Sequence, residues 1–129
     1  MKLYISTPIN TRSETTFQEK YEAARKRVEE IKEQLPSIYQ ECYDIVSSFD
    51  LNPLGTYTEE QAMGRCIQAV MESDAILLDN GWTLSQGCCL EYRTAEIYNK
   101  IIYSTSPNNP INPISPILPQ NFTTNLMFN

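Results

Sequence analysis

The stretch Gly81-Trp82-Thr83-Leu84-Ser85-Gln86-Gly87-Cys88-Cys89-Leu90-Glu91 holds the only tryptophan of the chain, two glycines, a serine, two adjacent cysteines and a carboxylate. These residue types fit a pocket for a sugar or phosphate. Gly81 and Gly87 allow close backbone approach and unusual dihedrals. Ser85 stands where a helix N-cap is expected, at the positive end of the helix dipole, where its hydroxyl and the free amides after it can hold an anionic oxygen. Glu91, about one turn further in, can act as a nucleophile on an electrophilic carbon or as a general base. Trp82 can wall a base or a sugar. Each residue also has a plainer reading: Ser85 as a cap alone, Glu91 as a solvated helix residue, Trp82 as packing.

The elements around this stretch alternate between strand and helix. Leu3, Tyr4 and Ile5 are a short β-prone run that ends in the polar turn Ser6-Thr7-Pro8. Phe17, Tyr21, Ala24, Val28, Ile31 and Leu35 are spaced by four and three in turn, one face of a helix that Pro36 stops. Tyr43 to Val46 reads as a second strand, ended by Asn52-Pro53 and Gly55. Thr58 with Gln61 is a capping-box signature for a helix through Ala62, Met63, Ile67, Val70 and Met71. Ala75 to Leu78 is the most apolar strand. A helix from about Gly87 to Asn99 and a strand at Ile101 to Tyr103 complete the alternation.

Such alternation predicts an α/β fold, a parallel sheet flanked by helices on both faces. Ligands bind beyond the carboxyl ends of its strands. The Ser6-Thr7-Pro8 turn and the Gly81 to Gln86 loop therefore converge on one edge. Residues 104–129 differ, with no charged residue. Pro107, Pro110, Pro113, Pro116 and Pro119 recur every three residues, and so do Ile111, Ile114 and Ile117. That is the period of a polyproline II helix with one apolar stripe. The segment reads either as an extended proline-rich C-terminal arm or as a flexible low-complexity tail.

Composition narrows the partners. A chain of 129 residues fits one domain with a real core. A net charge of −6 disfavours a nucleic-acid polymer as partner but not a single nucleotide. The start is too short in apolar residues for a signal peptide, and no stretch approaches the roughly 20 of a membrane span. The expected location is the cytoplasm, with Cys42, Cys66, Cys88 and Cys89 reduced. Without histidine or a Cys-x-x-Cys spacing, no metal site is expected. No cofactor is expected either.

Taken in order, Tyr4-Ile5-Ser6, Met63-Gly64-Arg65, Asp74-Ala75-Ile76 and Gly81-Trp82-x-x-Ser85-x-Gly87-x-x-x-Glu91 resemble the nucleoside 2-deoxyribosyltransferase superfamily. The likeness is closest to a small uncharacterised bacterial and phage branch, and it covers about Lys2 to Tyr103. The resemblance implies a flavodoxin-like fold and cleavage of N-glycosidic bonds, with Glu91 as nucleophile and Tyr4 orienting it. It implies that Ser85 lies near a 5′-phosphate, and that Ser6, Arg65, Trp82 and Gly87 belong to the substrate site. It also implies a homodimer or larger assembly. Where related enzymes carry a base-contacting aspartate, this chain has Cys66, and Asp79 is the candidate replacement. Three functions follow: an N-glycosidase or deoxyribosyltransferase, a nucleotide-binding module without efficient catalysis, or a structural protein whose arm carries the interaction.

Overall fold

The computed structural model describes residues 1–9, 16–53, 55–105 and 114–116. Strand β1 (Lys2–Ser6) lies between β2 (Asp44–Ser47) and β3 (Ala75–Leu78), and β4 (Ile101–Thr105) follows β3, all four parallel. A short β5 (Ile114–Pro116) runs antiparallel along β4, giving the order β2-β1-β3-β4-β5. The parallel part is the flavodoxin-like α/β sheet that the alternating pattern predicts. Pro107, Pro110, Pro113, Pro119, Ile111 and Ile117 lie outside the described residues, and with them the polyproline reading of the arm.

Period-two alternation divides the core between the two sheet faces. Leu3, Ile5, Ala75 and Leu77 pack against Tyr21, Ala24, Val28 and Ile31 of helix α1 (Phe17–Gln34). Tyr4, Ile76, Leu78 and Ile102 form the opposite cluster with Cys66 and Val70 of α4 (Glu59–Glu72) and Ala95 of α5 (Gln86–Ile97). The intervening α2 (Ser37–Cys42) and α3 (Ser48–Leu51) are short. Strands buried on both faces read as apolar runs, as Ala75 to Leu78 does.

Neither α2 nor α3 follows from the apolar periodicity of the sequence. Leu35 caps α1 and Pro36 breaks it, yet the chain re-enters a helix within one residue, leaving Tyr43 as the C-cap of α2. Ser47 and Asp50 form a reciprocal capping box that opens α3. Phe17, expected on the apolar stripe of α1, is 62% exposed at its first turn. Among the described residues, no helix is long and apolar enough to cross a membrane.

Candidate functional site

Alternation along β1 turns Tyr4 and Ser6 to one face, the face that α5 covers. Glu91, in the second turn of α5, meets both. Ser6 Oγ donates to Glu91 Oε1 at 2.8 Å, and the Tyr4 hydroxyl donates to Oε2. Glu91 is only 6% exposed. Each carboxylate oxygen thus holds one donor and keeps a lone pair. The three groups sit at the carboxyl edge of the sheet, between β1 and β3, where the strand order reverses and α/β sheets hold ligands.

Burial pushes the Glu91 pKa above its ordinary value of 4.5, and the hydrogen bonds from Tyr4 and Ser6 draw it only partly back. Burial, then the Glu91 charge, then Cys66 raise Tyr4 well above the usual phenol range, so it remains a donor at neutral pH. The raised Glu91 pKa links the site to stability. The folded chain keeps a proton that the unfolded chain releases, so this contribution is full below about pH 4.5 and is lost as pH rises through the folded pKa. Melting curves of the wild type and Glu91→Gln across that range should show the wild type losing relative stability as pH rises. Parallel curves would remove Glu91 as the cause.

The Ser85 hydroxyl accepts the Cys88 amide at 3.2 Å and caps α5. The glycines shape the approach. Gly81 has φ +89, in the left-handed region, and a Cβ there would lie 3.7 Å from Pro8 Cγ. The β1 and β3 loops therefore touch, as expected for two loops converging on one edge. A Cβ on Gly87 would lie 3.1 Å from Met63 Cε, so Gly87 lets α5 approach α4. Trp82 opens a single 3₁₀ turn (Trp82–Leu84), half-buried, with its ring 4.8 Å from that of Tyr92. It packs at the border of the cluster that contains Tyr4 and Cys66.

Cys66 is buried in the cluster that contains Tyr4. Its thiol accepts Asn52 Nδ2–H at 3.3 Å. Arg65 turns outward, with its guanidinium 4.4 Å over the Tyr57 ring. Burial raises the pKa of both nearby thiols, that of Cys88 to about 11, so both are protonated and poorly nucleophilic at pH 7.

Asp79 takes a different position. Being one residue past Leu78, it faces the α1 side of the sheet edge. Arg27 of α1 binds it through Nε at 2.9 Å and a terminal nitrogen at 2.8 Å, and Thr105 donates to it at 3.2 Å. The fork of Arg27 thus occupies both Asp79 oxygens.

Three residues of this region escaped the sequence reading. Asn52 enters the sequence reading only as part of the Asn52-Pro53 pair that ends the second strand. Arg27 falls on the charged side of α1, with 52 residues separating it from Asp79. Cys88 enters the sequence reading only as a reduced thiol, yet its amide donates to the Ser85 hydroxyl at 3.2 Å. No local pattern marks Asn52 or Arg27.

No curated protein and no solved structure matches the chain. One family model does, over residues 1–103, and so across every element from β1 to the Tyr103 position of β4. With most of its length inside that match, including Tyr4, Ser6, Cys66 and the whole Gly81 to Glu91 stretch, the chain belongs to the family described as a domain of unknown function, DUF4406.

Proposed function

We propose that the protein cleaves the N-glycosidic bond of a nucleoside or nucleotide, as an N-glycosidase or deoxyribosyltransferase, with Glu91 as nucleophile. One observation carries this reading: a buried carboxylate at the carboxyl edge of a parallel sheet, with one hydroxyl donor on each oxygen. A Glu91 oxygen attacks C1′ while the bond from C1′ to the base nitrogen breaks. The bonding pair leaves with the base, which takes a proton from water. Water, or a nitrogen of a second base, then attacks C1′ of the glycosyl ester and loses its proton, and the C1′–O pair returns to Glu91. Tyr4 and Ser6 orient the carboxylate. Trp82, Gly87 and Ser85 line the approach, and Asp79 meets a ligand only by exchanging Arg27.

The test is base release from a panel of nucleosides and their 5′-monophosphates, followed by chromatography. Release by the wild type that disappears in Glu91→Gln supports the reading, and no release from any member of the panel rejects it. A second reading, a nucleotide-binding module, is favoured by the Cys66 thiol, whose raised pKa makes it a weak proton donor to a departing base. Thermal stabilisation by a monophosphate without base release would select it.

Ser85→Ala separates two roles of one hydroxyl. Loss of the cap should cost about 1 kcal/mol of stability. Loss of a phosphate contact should weaken 5′-monophosphate binding by about 1–2 kcal/mol and barely affect the free nucleoside. Calorimetric titration of both ligands checks this, and equal weakening would leave the cap as the sole role.

A further inference from the structure

Every hydrogen-bonding group of Asp79 is engaged, and its bonds lead to four different elements. Its amide donates to the Ser6 carbonyl, at the end of β1, at 2.9 Å. Its carbonyl accepts the Trp82 amide, at the head of the 3₁₀ turn, at 3.1 Å. Its carboxylate accepts the Arg27 fork from α1 and the Thr105 hydroxyl from the end of β4. Thr105 Oγ1 in turn accepts the Asn80 amide at 2.9 Å, so β4 also holds the residue after Asp79.

Both backbone bonds lead to Glu91. On one side, Ser6 presents its carbonyl to Asp79 and its hydroxyl to Glu91 Oε1. On the other, the Trp82 carbonyl accepts the Ser85 amide at 3.1 Å, and Ser85 caps α5, the helix that carries Glu91. Asp79, Ser6, Glu91, Ser85 and Trp82 thus form a closed circuit. The carboxylate and the strand hydroxyl that meets it are both referred to one residue. That residue lies one position past β3 and two before Gly81, where the backbone bends with φ +89. The sheet alone does not fix its direction. The Arg27 guanidinium does, because a planar fork on both carboxylate oxygens sets orientation as well as position.

We propose that Asp79 is a positioning residue for the Glu91 site: clamped by Arg27 and Thr105, it sets the 3₁₀ turn against β1, and with it the place where α5 brings Glu91 to Ser6. The effect on turnover rests on the glycosidase reading, but the clamp depends on no substrate. Asp79 then acts through the loop, and not as a carboxylate that contacts the base.

Trp82 is the only tryptophan of the chain, so its emission reports on this turn. In the full chain, Arg27→Met/Asp79→Asn removes the fork without leaving a buried carboxylate unpaired. This variant should melt near the wild type, yet its Trp82 emission should shift to the red and become more open to acrylamide quenching. Base release at saturating nucleotide should fall by about 100-fold, the scale of a small misplacement at a reacting centre. Arg27→Lys keeps the charge but not the fork. It should move Trp82 part of the way, and it stands in where the double variant does not fold. If the pair served stability alone, Trp82 and turnover would recover with the melting temperature. An unmoved Trp82 in the folded variants therefore overturns the proposal. Base release that the folded double variant matches would keep the glycosidase reading and reject the positioning role. A shifted Trp82 in the folded variant, with no base release by the wild type from any nucleotide, would sustain the positioning role and reject the glycosidase reading.

Discussion

Glu91→Gln is expected to lower base release by about four orders of magnitude or more, while nucleotide binding and the fold survive. A glutamine has nearly the same shape but no anionic oxygen with which to form a glycosyl ester, and loss of a covalent nucleophile has effects of this size. The variant should melt no lower than the wild type at neutral pH, because folding no longer buries a carboxylate whose pKa it must raise. The wild-type rate should also fall on acidification at a pH above the usual carboxylate range, since attack requires the ionised form. Product release measured from pH 4 to 8, together with a melting curve of each protein, checks all three. Near-normal turnover in the variant would remove Glu91 from the chemistry.

Arg27→Ala should be the most damaging single change away from Glu91. It leaves Asp79, with 5% of its side chain exposed, buried without its bidentate partner. Removing one member of a buried pair costs about 3–5 kcal/mol, mostly as the desolvation of the charge left behind. Arg27 is itself partly exposed, so the lower end of that range applies, and denaturant unfolding should show it as a lower midpoint with an unchanged slope. Removing both charges in Arg27→Met/Asp79→Asn should recover much of the loss. A single variant as stable as the wild type would mean that Asp79 finds water or another donor when Arg27 is gone.

Where the fold was legible, short-range physics set it. The three-and-four spacing from Tyr21 to Ile31 marks the buried face of α1, and Thr58 with Gln61 forms the expected capping box of α4. Ala75 to Leu78 is completely buried, as an unbroken apolar run implies. Where reading failed, two local signals competed. Asn52-Pro53 and Gly55 read as the end of the second strand, but Ser47 and Asp50 cap each other first and one helical turn forms. The site was legible as a set of residues and much less as a network. Resemblance singled out Tyr4 and Glu91, and strand alternation puts Ser6 on the same side as Tyr4. Nothing local tells Asn52 that its partner is Cys66, or Arg27 that its partner is Asp79. Those contacts depend on how α3 and α1 dock on the sheet, and docking is a tertiary outcome.

Both hydroxyl donors come from β1, while the carboxylate they hold lies 85 and 87 residues further along. Closing so long a loop has an entropic cost that must be met before any bond in the site forms. β1 is also hydrogen-bonded on both sides, to β2 and to β3. It cannot leave Glu91 without giving up two ladders of the sheet. Such contacts belong to the last part of folding and the most cooperative part of unfolding. The Glu91 carboxylate is therefore held by both hydroxyls only in molecules that are folded throughout, and a partly folded chain has a helix bearing Glu91 but no means of directing it.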